Sequence, residues 1–181
     1  MTDGLQPELA TLLAKQAIRD ALSRYCRALD RMDKEMAYAV WHADGTADYE
    51  GIFEGTGHGF VDWVWEAHAG MSRHSHQITN VLTEVDGDRA ASEAYVTVLL
   101  WVDGDPEGPQ TEIVARGRYL DRWSLRDGRW AIDHRVHLVD TQSVQEVAAG
   151  EVAPSSARDE TDPSFQFIAP GGQGARPAGS R

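Results

Sequence analysis

The sequence predicts an α+β domain, and three observations carry that prediction. Apolar residues recur at three- and four-residue spacing early in the chain, the middle switches to long extended runs rich in Val, Ile, Leu, Thr, Tyr and Trp, and Asp-Gly pairs join two of those runs. Helices first and a strand meander second is the order of a fold in which helices cover one face of a curved antiparallel sheet.

From Pro7 to about Met32, Leu9, Leu12, Leu13, Ala17, Ala21, Leu22, Tyr25 and Leu29 form one stripe of an amphipathic helix that ends near Asp30. Asp33 is a natural N-cap for a second, short helix, Lys34 to Trp41, because its carboxylate can accept from the first free backbone amides. A turn at Ala43-Asp44-Gly45 leads into a short strand, Thr46–Tyr49. Gly59–His68, carrying Phe60, Val61, Trp63, Val64 and Trp65, reads as a third helix. Four extended runs follow, His74–Val85, Arg89–Val102, Glu112–Trp123 and Arg129–Val139. Asp86-Gly87 joins the first pair and Asp127-Gly128 the last, whereas Asp103 to Gln110, with two glycines and two prolines, reads as a longer exposed loop.

Residues 1–142 thus form one folded domain. From Ser143 the composition shifts to Ala, Gly, Pro and Ser, so 143–181 reads as a flexible tail. Phe165-Gln166-Phe167-Ile168 interrupts it, either as accidental hydrophobicity or as an arm that docks over a pocket mouth or a partner subunit.

A chain of 181 residues supports one core and buries roughly 70% of its unfolded surface, enough to hold an internal cavity. Seventeen basic against 29 acidic residues give a net charge of -12 and a pI near 4.9, which offers no cationic footprint for nucleic acid or for a membrane surface. Cys26 is the only cysteine, so no intramolecular disulfide forms. The opening Met-Thr-Asp-Gly-Leu-Gln-Pro lacks the basic start and apolar run of a signal peptide, and no stretch reaches the ~20 apolar residues of a membrane span. The expected location is cytoplasmic.

Chemistry concentrates at three places: Tyr25 and Asp30 at the end of the first helix, His74-Ser75-His76 at the start of the first long strand, and Arg135 in the last. Strand alternation puts His74, His76, Ile78 and Asn80 on one face, and Asp133, Arg135 and His137 together on one face of the last strand. An imidazole is the natural proton acceptor near neutral pH, and a carboxylate beside it fixes its tautomer and raises its basicity; Asp30 with His76 forms such a pair. Tyr25 and Arg135 are the complementary donors for negative charge developing on a carbonyl or a departing oxygen. His42, His58, His68 and His134 read as structural or surface groups. The His-x-His spacing suits a metal, but no Cys or companion His-Glu motif supplies a third ligand, so neither metal nor cofactor is assigned. No Gly-rich phosphate loop and no Gly-x-Ser-x-Gly elbow is present in the sequence.

Taken in order, Tyr25-Cys26-Arg27-Ala28-Leu29-Asp30, Asp33, Trp41-His42-Ala43-Asp44-Gly45, His76-Gln77-Ile78-Thr79-Asn80, Glu84-Val85-Asp86-Gly87-Asp88, Gly117-Arg118-Tyr119 and Arg126-Asp127-Gly128-Arg129-Trp130 resemble the SnoaL-like branch of the nuclear transport factor 2 superfamily, over roughly Leu12 to Val139. The resemblance implies a cone-shaped fold in which a curved antiparallel sheet and the amino-terminal helices enclose one pocket, often in a dimer. Its enzymes include scytalone dehydratase, ketosteroid isomerase, limonene epoxide hydrolase, polyketide cyclases, hexachlorocyclohexane dehydrochlorinase and bile acid 7α-dehydratase. The histidine and aspartate of the dehydrochlorinase correspond in motif position to His76 and Asp30, and the Tyr, Asp, His and Arg of the bile acid dehydratase fall on Tyr25, Asp30, His76 and Arg135. The acidic pair of ketosteroid isomerase and the Asp-Arg-Asp set of the epoxide hydrolase are not evident, and His74 and the tail after Gln142 lie outside the pattern.

The expectation is a cofactor-independent lyase of the dehydratase type. His76, Asp30, Tyr25 and Arg135 would be catalytic; Trp63, Tyr95, Leu99, Trp101, His74 and Asn80 would bind a small hydrophobic polycyclic substrate; and the chain would form a homodimer or higher homo-oligomer. An isomerase or polyketide cyclase using the same proton abstraction, or a non-catalytic ligand-binding or dimerisation module, remains as the alternative.

Overall fold

A computed structural model describes residues 5–102, 109–148 and 155–168. The first helix, α1 (Leu5–Asp30), buries Ala21, Leu22, Tyr25 and Leu29 of the expected stripe together with Ile18, which that stripe did not include, but leaves Leu9, Leu12 and Leu13 exposed. Asp33 caps α2 (Lys34–Ala39), its side chain accepting from the Met36 amide at 3.0 Å. That helix stops two residues short of the expected end. Trp41 instead opens β1 (Trp41–Tyr49), which absorbs the expected Ala43-Asp44-Gly45 turn as an irregularity in its pairing. A short strand β2 (Phe53–Thr56) that the sequence reading did not separate precedes α3 (Gly57–Ala69).

Four long strands follow: β3 (Arg73–Asp86), β4 (Arg89–Val102), β5 (Gln110–Arg126) and β6 (Arg129–Val147). The β5–β6 turn places Asp127 and Gly128 at φ of 52° and 74°, the left-handed pair that an Asp-Gly hairpin needs. The strand order is β2-β1-β6-β5-β4-β3. Every neighbouring pair is antiparallel except β1 and β6, which run parallel, so the sheet is mixed rather than wholly antiparallel. Alternation specifies which residues share a face, not which strand lies next door, and the β1–β6 pairing is made across most of the chain.

Pairing irregularities at Thr79/Leu82, Arg116/Gly117 and Arg122/Trp123 bend the long strands into an open, curved sheet. Gly117 is needed at one of them, because a Cβ there would sit 2.0 Å from the Leu138 carbonyl oxygen. The helices pack against the sheet, and Tyr25, Trp41 and Trp123 are the largest aromatic groups in the fully buried core between them. β6 runs five residues past the boundary expected at 142, paired with β5 as far as Val147 opposite Gln110. Beyond it, 155–168 contains a single 3-10 turn, η1 (Pro163–Gln166), held by Asp162, which accepts from the Ser164 and Ala157 amides.

Candidate active site

Asp30 is the last residue of α1, where the helix lets its side chain reach across to β3. That strand is an edge of the sheet, so part of its backbone has no strand partner and looks for another acceptor. The Asp30 carboxylate supplies it: the His76 amide donates to Oδ2 at 3.0 Å and to Oδ1 at 3.1 Å, and the His76 ring donates from Nδ1 to Oδ1 at 2.7 Å. His74, two residues earlier on the same face, brings its Nδ1 to 3.8 Å from the same oxygen. Burial pushes the Asp30 carboxyl up, but the two imidazoles and the backbone amide together hold it below the usual aspartate value. The ring of His68, from α3, stacks on His74 with centroids 4.4 Å apart, and burial beside the other imidazoles lowers it to about 3. His74 is lowered as well, first by burial.

This cluster opens on a cleft of about 330 Å³ between α1 and β3, lined by Cys26, Arg27 and Arg31 together with Asp30, His76 and Ile78. Burial pushes the Cys26 thiol up to about 12, which leaves it inert as a nucleophile. A larger hollow of about 510 Å³ lies on the opposite face of the sheet, among residues such as Leu82, Leu120 and Val136, and holds none of the expected site residues.

Tyr25 and Arg135 come together elsewhere in the interior. Arg135 is fully buried and bound by two hydrogen bonds, 2.6 and 2.9 Å, to Asp121. Its guanidinium lies 3.9 Å from the Tyr119 ring centre and 4.5 Å from that of Tyr25. The Tyr25 hydroxyl shares a 2.7 Å hydrogen bond with Tyr49, and burial raises its pKa well above the ordinary phenol value. Among the described residues, one Arg135 nitrogen, Nη1, has no hydrogen-bond partner, nor does Nδ1 of the neighbouring His137, which burial lowers to about 4. The structure therefore assembles two groups, Asp30 with His74 and His76, and Tyr25 with Arg135.

The expected apolar lining is not there. Tyr95, Leu99 and Trp101 alternate along β4 with Ala94, Val96 and Val98; His76 pairs with Val98, and it is the Ala94–Val96–Val98 set that packs into the core, so the three larger residues lie on the other face. Trp63 packs against Phe53 and Phe60 and is 40% exposed. Asn80 falls in the β3 irregularity with φ at 48°, which takes it out of the alternation that would have aligned it with His76. Sequence reasoning also missed participants. His68 follows Val61 and Val64 at helical spacing, so the buried stripe of α3 could have found it, and Asp121 could have been found as the carboxylate that Arg135 requires in the core. The third donor that the His-x-His motif lacked is Asp30: one ligand-type atom each from Asp30, His74 and His76 lies within 4.8 Å of the others.

A SnoaL-like domain model matches residues 10–136. The chain belongs to the SnoaL-like family. No curated protein matches it. Among solved structures, the SnoaL-like chain is similar to protein Kfla4162 from Kribbella flavida, at 18% identity and TM-score 0.66 over 72% of this chain and 93% of that one. It is similar to the hexachlorocyclohexane dehydrochlorinase LinA-type3 from Novosphingobium barchaimii, at 20% identity and TM-score 0.63 over 79% and 96%. It is also similar to Rv3472, a protein of unknown function from Mycobacterium tuberculosis, at 28% identity and TM-score 0.58 over 75% of each chain. The shared feature is the fold. No helix among the described residues is long and apolar enough to cross a membrane.

Proposed function

We propose that this protein is a cofactor-independent lyase that removes water from a small polycyclic β-hydroxy carbonyl compound. The observation that supports it is the 2.7 Å contact between His76 Nδ1 and Asp30 Oδ1 at the wall of a cleft, which catalysis by a paired base requires and a mere binding module does not. With Nδ1–H given to the carboxylate, Nε2 is the lone-pair nitrogen. It takes the proton from carbon next to the carbonyl; the C–H electron pair becomes the new double bond and the β-hydroxyl leaves. The imidazolium, stabilised by Asp30, returns its proton to the departing oxygen as water. Tyr25 and Arg135 would hold the carbonyl or the leaving oxygen, and the unpartnered Arg135 Nη1 supports that role; since both are enclosed in the core, the interior has to open around the substrate for them to act.

The dehydrochlorinase relative fits elimination as the reaction class. The polar cleft, with two Arg27 nitrogens that lack hydrogen-bond partners among the described residues, favours oxygen-rich substrates over bare hydrocarbons. A homodimer is the assembly we expect, read by light scattering as a particle of twice 20.0 kDa. The test is a panel of hydroxylated steroids and polyketides incubated with the full chain and no added cofactor. Loss of one water from a panel member, seen by mass spectrometry, supports the reading; a shifted double bond or a new ring without loss of water would replace it with isomerisation or cyclisation.

A further inference from the structure

We propose that Arg158 is a positioning residue for the His76–Asp30 pair, which it serves by locking His74 in its Nδ1–H tautomer. The proposal rests on the reading of that pair as the proton-transfer machinery, but its structural core can be tested without turnover.

Arg158 belongs to the segment 155–168, beyond the part of the chain that the family model matches. Its Nη1 donates to the His68 carbonyl at 2.8 Å and meets His74 Nε2 at 3.2 Å. A guanidinium has only N–H donors and stays charged, so the imidazole nitrogen facing it must be the acceptor. A second proton on His74 would set N–H against N–H beside a permanent cation. Neutral His74 therefore carries its hydrogen on Nδ1, the atom that is buried without a hydrogen-bond partner among the described residues and lies 3.8 Å from Asp30 Oδ1. That N–H lies beside the oxygen that also takes the His76 ring proton, and its positive end there favours the carboxylate over the acid. In the other tautomer a lone pair would face the carboxylate while Nε2–H confronted Arg158. Both contacts turn unfavourable at once, so a guanidinium on one side of His74 sets the charge and aim of the aspartate on the other.

The segment that carries Arg158 is tied to the cleft independently. Arg27 donates from Nη1 to the Ser164 hydroxyl at 2.9 Å and lies over the Phe165 ring, Arg31 is 3.4 Å from Asp162, and Arg73 donates to the Ser156 carbonyl at 3.0 Å. Two of these anchors, Arg27 and Arg31, line the cleft. The same assignment bears on the donor cluster of Asp30, His74 and His76. With protons on both Nδ1 atoms, the imidazoles present N–H groups rather than lone pairs to its centre.

The test is long-range proton–nitrogen correlation of the full chain labelled with nitrogen-15 histidine. His74 is expected to show a protonated Nδ1 and an unprotonated Nε2. Arg158→Ala should shift it towards the Nε2–H form and move the His76 Nδ1–H resonance upfield, with amide signals remote from the cluster unchanged; Arg158→Lys, still a donor, should keep the parent pattern. A wild-type His74 protonated on Nε2 would overturn the proposal with no variant needed, and so would the same His74 tautomer in parent and Arg158→Ala. Once a substrate is in hand, Arg158→Ala should lower kcat and leave KM unchanged. A tautomer lock in a protein that dehydrates nothing would sink the proposed reaction alone, whereas dehydration without the lock would sink only this assignment.

Discussion

Asp30 Oδ1 lies 2.7 Å from His76 Nδ1, although the two residues are 46 positions apart. The contact depends on where α1 stops and on β3 being a sheet edge, since the same carboxylate also binds the His76 amide. Helix end, strand edge and imidazole are thus fixed by one side chain.

Acid should destabilise the fold well before ordinary carboxylates titrate. His68 and His137 are held at about 3 and about 4, chiefly by burial, and His74 is also lowered. Their folded values lie below the unfolded 6.5, so the unfolded chain binds protons that the folded one refuses. The stability that His68 and His137 protect is complete above pH 6.5 and is lost as pH falls towards 3 to 4, and His74 adds the same sign below 6.5. Each contributes a slope of up to ~1.4 kcal/mol per pH unit in that window. Asp30, depressed below 3.8, adds the same sign at lower pH. Urea unfolding at pH 7, 5 and 4 measures the slope, and His68→Asn should flatten it.

Arg135 and Asp121 are both fully buried at the side chain, so breaking their pair strands a charge in the core. Asp121→Ala should cost about 3–5 kcal/mol, because the buried guanidinium then loses its carboxylate and is left against the Tyr119 and Tyr25 rings. Replacing both members by well-packed apolar residues should recover most of that loss. Denaturant midpoints of the single and double variants separate the two cases.

Gly117→Ala tests the bend in β5. The new methyl carbon would meet backbone, the Leu138 carbonyl, at a distance no side-chain rotation can relieve, so β5 and β6 must separate locally. The expected loss is about 1–3 kcal/mol or more. Melting at the parent temperature would show that the strands accommodate the methyl group by shifting.

What the sequence reveals follows from the range of the physics. Asp33 as N-cap and the Asp127-Gly128 turn depend on immediate neighbours and are legible. The parallel β1–β6 pairing is not, because no local pattern names a strand's partner. The exposed, polar end of β6 reads like a tail for the same reason: its order comes from the ladder with β5. Within the site, alternation correctly groups His74 with His76, but period-two patterning cannot say which β4 face is inward. The large aromatics Tyr95 and Trp101 suggest one answer, and the small residues Ala94 and Val96, shaped to let helices approach, take the other. Arg158 could not be found at all, since nothing in a stretch read as tail announces a partner near position 74.

The most direct measurement is turnover of a dehydrated panel substrate by the parent chain, His76→Ala and Asp30→Asn, each first checked for a native circular dichroism spectrum. Positioned acid–base groups contribute ~10²–10⁴-fold, so both variants should fall by a factor in that range, His76→Ala the further. Parent-level turnover in either variant would contradict the account, because the proton would then be leaving by another route.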